Sequence, residues 1–259
     1  MTNISWTEES WNPVTGCSRI SEGCRNCYAV PNAWRMSRHP DPKIHIPYSG
    51  TTAKRDSGHI EWTGRINCLP ERLQEPRHWK KPRRIFVNSM SDLFHERVPD
   101  AFIADVFIVM TETPRHTFQI LTKRAERLAE WPGPWAPNVW AGVSIEDRRN
   151  LARLDHLRRC EAITRWVSLE PLLEDLGDIN LDGVHWVVVG GESGPQRRPF
   201  DQAWARSIRD QCKRRGIAFY FKQDSDIRPQ MRPHLVEPDG SQWTWHQYPG
   251  DLCQPIEAV

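Results

Sequence analysis

The 259-residue sequence predicts an α/β protein: a TIM-barrel-like (β/α) barrel, partial or full, with six to eight parallel strands and a C-terminal hairpin extension. Three observations carry that expectation. Short, continuously apolar runs recur from about residue 85 onward, segments with helical spacing separate them, and nearly every run ends in chemically capable polar side chains. Runs without polar alternation are how strands buried on both faces of a parallel sheet read. Regular alternation of strand and helix is the sequence mark of α/β architecture.

In chain order, SWNPVTGC (10–17) and HIEWTGRINC (59–68) can each supply an upstream strand, and CYAVPNAWRMSR (27–38) reads as a helix. RHPDPKIHIPYSGTTAKRDSGH (38–59) reads as a loop-like insertion rich in Pro, Gly and Lys/Arg. Six runs then follow: RIFVNS (84–89), TFQILT (117–122), NVWAGVS (138–144), TRWVSLE (164–170), VHWVVVGG (184–191) and IAFYFKQ (217–223). Between them, PDAFIADVFIVMTETP opens on Pro99 and Asp100 and stops at Pro114, as helices do. EDRRNLARLDHLRRC is amphipathic, as is DQAWARSIRDQCKRRG, which closes on Gly216 as a C-cap. Counting both upstream strands gives eight, the number of a closed barrel; without them six remain, which suits an open one. After residue 224 the periodicity is lost, and LVEPDGSQWTW reads as a hairpin turning at Asp239-Gly240. The expected organisation is a barrel over residues 1–225 that carries the cysteine loop, with an extension over 226–259 packed on it.

Composition bounds the function. With 35 Lys+Arg against 33 Asp+Glu, a net charge of +2 argues against nucleic-acid binding by bulk electrostatics, though a local basic patch stays open. No apolar run approaches the roughly 20 residues of a membrane helix. The opening MTNISWTEES lacks the basic-then-apolar pattern of a secretory signal, so a cytoplasmic protein with no membrane partner is expected.

The strand ends hold the candidate pocket. The runs deliver Asn88, Ser89, Ser91 and Asp92; then Thr122, Lys123 and Arg124; then Ser144, Glu146 and Asp147; then Ser168 and Glu170. GGESG adds Gly190, Gly191, Glu192 and Ser193, and YFKQD adds Lys222 and Gln223. Parallel α/β folds bind ligands at the carboxyl ends of their strands. Lys123, Glu146, Glu170 and Lys222 are the candidate catalytic residues; Gly190, Gly191, Glu192, Ser144 and Arg124 are the candidate cofactor contacts. A carboxylate beside two glycines suits an amine or a ribose hydroxyl, while a bare Gly-Gly turn explains the same letters equally well. Lys123-Arg124 suits a carboxylate or phosphate, or simply opens the helix that follows.

Seven cysteines, an odd number, fit no disulfide framework. Three cluster as Cys17, Cys24 and Cys27 in a C-x6-C-x2-C pattern, while Cys68, Cys160, Cys212 and Cys253 are scattered. Glycines at 16 and 23 precede two of the three, which would let a tight loop wrap a metal. Three thiolates with no evident fourth ligand suggest an iron–sulfur cubane with one open iron; a zinc site closed from a distance by His39 or Cys68 is the alternative, and three unligated thiols the plainest one.

SWNPVTGCSRISEGCRNCYA, RRIFVNSMSDLFHERVP, FQILTKRAERL, NVWAGVSIED, RWVSLEPLL, VVVGGESGPQRRP and FYFKQ, in that order over roughly residues 4–225, together resemble the phage-associated three-Cys-motif family. The family's motif is similar to a variant of the radical S-adenosylmethionine (SAM) signature. The resemblance implies a [4Fe–4S] cluster on Cys17, Cys24 and Cys27 whose open iron binds the amino and carboxylate groups of SAM. It also implies an electron donor, and a Glu192 that resembles the element holding the SAM amine. This sequence departs from the common C-x3-C-x2-C spacing, and Asn26 stands where an aromatic residue usually precedes the last cysteine, with Tyr28 following instead. The implied activity is reductive SAM cleavage on an unidentified substrate, with nucleic acid or nucleotide open. The rival expectation is a zinc-stabilised nucleic-acid-binding protein using the basic stretches RHWKKPRR (77–84) and KRR (213–215).

Overall fold

The structure, a computed structural model, describes residues 4–251 and the short strand Ile256–Glu257. Seven strands form one wholly parallel sheet in simple sequence order: β1 (Glu9–Trp11), β2 (Arg84–Val87), β3 (Thr117–Thr122), β4 (Val139–Ser144), β5 (Thr164–Leu169), β6 (Trp186–Gly190) and β7 (Ala218–Gln223). The sheet curls into a half-barrel, with helices on its outer face. All six downstream runs became strands, because each supplies apolar side chains to two cores at once.

The outer core packs Ile85, Val87, Ile120, Val143, Val167, Leu169, Val187, Val189, Phe219 and Phe221 against the helices. Among those, α2 (Asp100–Glu112) buries Phe102, Ile103, Val106, Phe107, Val109 and Met110. The others of note are α1 (Ala29–Met36), α3 (Ala125–Glu130), α4 (Arg153–Arg159) and α5 (Gln202–Arg215). Helix α5 is capped by Asp201, and ends at Gly216 with φ +66° after three basic residues that suit its C-terminal dipole.

The inner core accounts for four of the thirteen tryptophans. Phe86, Leu121, Trp140, Trp166, Trp186, Val188, Ala218 and Tyr220 face the concave side, and Trp6 from the N-terminal segment plugs the space between them. Its ring centroid lies 4.8 Å from Phe86 and 5.2 Å from Trp166. With a strand period of two, the positions after this aromatic layer on the same face are Lys123, Ser144, Ser168, Gly190 and Lys222. The plug fills the amino end of the half-barrel, so polar chemistry is confined to the carboxyl end. Gly142 makes the plug fit: a Cβ there would be driven into the Trp166 indole, whose Nε1 donates to the Ile120 carbonyl at 3.1 Å. Gly142→Ala is therefore expected to destabilise the protein by about 1–3 kcal/mol through overpacking, read as a lower urea midpoint at unchanged m-value.

The upstream expectations are corrected in part. The 10–17 run contributes β1 to the barrel, but Val14–Thr15 turns away to pair antiparallel with Asn67–Cys68. The 59–68 run adds no barrel strand; Ile60–Trp62 forms a hairpin with Thr52–Lys54 that packs on α1. The sheet thus has seven strands and stays open rather than closing at eight. The insertion is also more ordered than a loop, holding a short helix at Pro42–His45 capped by Asp41. The 146–160 segment is helical only over Arg153–Arg159, after a 3-10 turn at Arg148–Asn150.

The expected hairpin at Asp239-Gly240 is present, pairing Leu235–Val236 with Gln242–Thr244, and Ile256–Glu257 adds a third strand. The segment after it covers the free edge of β7: Phe221 N–H donates to the Trp245 carbonyl at 2.7 Å and Phe219 N–H to Gln247 Oε1 at 3.0 Å. Covering that edge removes a template for aggregation. Cys160 and Cys212 are packed in the outer core and Cys68 against its margin, while Cys253 lies outside the described residues. No described helix is long and apolar enough to cross a membrane.

Candidate functional site

The three clustered cysteines lie on a loop that runs from Gly16 across the carboxyl end of the sheet into α1. None of the three is in a disulfide. Their charges act on one another: those of Cys24 and Cys27 both raise the Cys17 thiol, and that of Cys24 raises Cys27. Burial is the larger cause for both, and with Asp92 nearby it pushes Cys17 up to about 12.

The half-buried Arg124 and the buried Glu146 and Glu192, from different strand ends, hold the loop at three points. Near Cys17, Arg124 donates through Nη2 to Ser18 Oγ at 2.8 Å, with Nη1 3.9 Å from the Cys17 sulfur. Arg124 is itself fixed by Asp92 at 3.0 Å and Glu96 at 2.9 Å. Asp92 is further tied by Thr122 Oγ1 at 2.6 Å and the Lys123 N–H at 3.2 Å. The imidazole of His95 lies 2.9 Å from Ser18 Oγ; its Nδ1 accepts from Arg97 N–H, and burial followed by Arg124 lowers its pKa to about 4, so it stays neutral.

Before Cys24, the fully buried Glu146 accepts the Gly23 N–H at 3.2 Å and binds Arg153 Nη1 at 2.8 Å. The fit is close: a Cβ on Gly23 would stand 3.0 Å from the Glu146 carboxyl carbon. Between Cys24 and Cys27, Asn26 Nδ2 donates to Glu192 Oε2 at 3.0 Å and to the Gln196 carbonyl at 2.8 Å. Glu192 also accepts from Arg198 N–H at 2.9 Å, Nε at 3.0 Å and Nη2 at 2.6 Å. After Cys27, the Tyr28 hydroxyl donates to the Ser89 carbonyl at 2.7 Å.

Gly190 and Gly191 shape the Glu192 anchor. A bulge follows Val189, where Gly190 pairs with Gln223, and Gly191 exchanges hydrogen bonds with that residue's backbone and side chain at 3.0 Å each. A Cβ on Gly191 would be driven into the Ser225 backbone.

Burial opposes ionisation of Glu192, but the hydrogen bonds from Arg198 and Asn26 outweigh it and hold the carboxyl below its ordinary 4.5. A depressed folded pKa contributes stability that is complete above the unfolded value and is lost as pH falls through the folded one. Stability should therefore drop in the acid range below about pH 4, and Glu192→Gln should flatten that limb in urea titrations across pH 3–6.

Beside the loop opens a cavity of about 1010 Å³. Cys24, Cys27 and Lys222 line it, as do Ser10, Asn12 and Gln223 from strand ends and Trp62 from the insertion hairpin. Lys222 Nζ pairs with Glu170 Oε1 at 2.8 Å, and Ser168 Oγ donates to Glu170 Oε2 at 3.1 Å. The charge of Lys123 acts on Cys27 and lowers its thiol. Ser144 is buried, with its carbonyl accepting Arg153 Nη1 at 2.7 Å.

The predicted residues therefore separate by placement. Lys222 and Glu170 form a pair at the cavity. Arg124, Glu146 and Glu192 are engaged in loop contacts, and the carboxylate offered by sequence to a cofactor amine is occupied by Arg198 and Asn26. Sequence reasoning missed Arg153 and Arg198; the only local sign of the second was QRRP following GGESG.

The donor set suits a soft metal centre: three thiols on one anchored loop, with Arg124 acting to lower Cys17 and Lys123 to lower Cys27 against the larger effect of burial. Among the described residues, no group of three or more His, Cys, Asp or Glu side chains stands together as a single-ion site.

Fold and site together define an open (β/α) half-barrel with an anchored three-thiol loop at its carboxyl edge. The chain belongs to the family described as protein of unknown function (DUF5131), whose model matches residues 1–249. No curated protein matches it. Among solved structures it is similar to a double mutant of spore photoproduct lyase with bound AdoMet and dinucleoside spore photoproduct. The two are 12% identical, over 96% of this chain and 68% of that one, with a TM-score of 0.39. A second spore photoproduct lyase structure, complexed with dinucleoside spore photoproduct, is 10% identical over 95% and 67%, with a TM-score of 0.38.

Proposed function

We propose that this protein is an iron–sulfur enzyme of the radical SAM type, cytoplasmic and related to the phage-associated three-Cys-motif proteins. One observation carries the reading: separate buried polar networks hold three segments of one loop whose three thiols form no disulfide, beside a cavity large enough for a cofactor and a substrate. Cys17, Cys24 and Cys27 would hold a [4Fe–4S] cluster. When bound and reduced by an external electron donor, such a cluster would supply one electron for reductive cleavage of SAM.

The chain's own residues position and shield. Arg124, Glu146 and Glu192 set the loop. Arg124 places positive charge beside Cys17 and Lys123 beside Cys27, which opposes the effect of burial on those two thiols. Lys222, fixed by Glu170, presents an ammonium to the cavity for a carboxylate or another acceptor on the ligand. The aromatic plug closes the amino end to water, which protects a reactive intermediate. In the expected 226–259 extension, Trp245 and Gln247 cover the β7 edge of the 1–225 barrel.

Anaerobic reconstitution with iron and sulfide should give a brown protein with about four irons per chain. Its reduced electron paramagnetic resonance signal should change on adding SAM, and 5′-deoxyadenosine should form. Cys17→Ser, Cys24→Ser and Cys27→Ser should each lose the signal. A protein that instead holds one tight zinc, takes up no iron and ignores SAM overturns the reading.

A further inference from the structure

The cavity is larger than the thiol loop alone accounts for, and its far wall has a chemistry of its own. Trp62 and Tyr28 line it with Asn32, whose Oδ1 accepts from Arg35 and leaves its amide N–H groups to the cavity, and the buried Tyr48 backs them. Trp62 and Tyr48 come from the insertion that packs on α1, so this wall is built by chain outside the barrel. Tyr28 is 47% exposed although its hydroxyl is bonded to Ser89, so its ring is held with a face open. Arg25, between two of the clustered cysteines, also lines the cavity. Its guanidinium makes no ion pair among the described residues, whereas the other lining cations, Arg19 and Lys222, are paired with Glu22 and Glu170.

We infer that this cavity takes a nucleobase bearing a phosphate: the base lies against Trp62 and Tyr28, Asn32 reads its edge, and Arg25 receives the phosphate. Aromatic faces accept any base by stacking, and a planar guanidinium matches phosphate oxygens. The volume lies at the upper end of ligand cavities, about 300–1,000 Å³. SAM also carries a base but no phosphate, so an unpaired Arg25 points to a second ligand. The inference names the substrate class of the proposed enzyme and rests on that reading only for what is done to the ligand after binding.

Fluorescence anisotropy of the full chain with a labelled single-stranded oligonucleotide tests it, with metal-free and iron-loaded protein in parallel. Trp62→Leu should weaken binding roughly tenfold and Trp62→Phe by much less, the second variant separating stacking from folding. Arg25→Ala, at an exposed position, should weaken binding and reduce the salt slope by about 0.7, one phosphate contact, while leaving SAM binding unchanged. Competition by AMP equal to that by unlabelled oligonucleotide identifies a free nucleotide; competition by the oligonucleotide alone identifies a strand. Both uphold the inference.

Binding by neither overturns it. So does an affinity that falls with a Lys80→Ala, Lys81→Ala double variant on the exposed basic run and not with Arg25→Ala. A zinc-loaded, SAM-indifferent protein that still binds through Arg25 and Trp62 keeps this inference and loses the radical reading.

Discussion

Glu146→Ala is expected to lower stability by about 3–5 kcal/mol and to free the middle of the cysteine loop. Glu146 is fully buried, and its two oxygens serve different masters: one accepts the Gly23 N–H, the other binds Arg153. Truncation leaves a backbone donor unmet and strands a guanidinium that is only 11% exposed, and an uncompensated buried charge costs far more than a lost contact. Glu146→Gln separates the two effects, because the amide oxygen can still accept from Gly23 while the charge against Arg153 is gone. Arg153→Met combined with Glu146→Gln should recover part of the loss, since removing both charges avoids the stranded one. Urea denaturation gives the stability. The rate at which a thiol reagent modifies Cys24 in metal-free protein gives the loop: it should rise in Glu146→Ala and stay near wild type in Glu146→Gln. Equal rates in both variants would show that Glu146 stabilises the barrel without positioning the loop.

The same residue shows where sequence reading succeeds and where it stops. The six downstream strands were legible because burial on both faces leaves an unbroken apolar run, and the position of Glu146 just past β4 was legible for the same reason. Its task was not. Arg153 lies seven residues on and Gly23 more than a hundred residues back, so neither local spacing nor composition links them. Glu192 repeats the pattern: two glycines before a carboxylate look like a ligand turn, yet Arg198 six residues later and Asn26 across the chain claim every oxygen. Tertiary partners decide whether a strand-end carboxylate is free.

The upstream region failed for a different reason. Val14–Thr15 and Ile60–Trp62 are two and three residues long, and such short segments take their pairing from whatever packs beside them. The 146–160 segment has an amphipathic pattern throughout, but Asp147 binds Arg149 and Asn150, which pulls its start into a 3-10 turn and delays the helix to Arg153. Trp6, Trp140, Trp166 and Trp186, which composition alone could not place, are the inner layer that forces polar residues to the far end of the half-barrel.

Gly16→Ala should be as damaging as Glu146→Ala, at about 2–5 kcal/mol from strain and overpacking together, and it acts on the first cysteine. Gly16 has φ +88°, a conformation that costs an L-residue energy, and its missing side chain faces the Arg65 backbone carbonyl and Thr51. Backbone cannot step aside as a flexible side chain can, so the Val14–Cys17 segment must move, taking Cys17 from Arg124 and Ser18 from His95. Gly240 supplies the control: it shares φ +88°, but a Cβ there meets nothing within 4 Å. Gly240→Ala therefore carries the dihedral strain alone, about 1–2 kcal/mol, and the difference between the two variants isolates the collision. If that difference is real, Cys17 should become more reactive in Gly16→Ala and not in Gly240→Ala, with iron uptake falling in step. Equal losses of stability in the two variants would mean that the insertion yields to the new methyl group, and that the cysteine loop does not depend on its contact with Arg65.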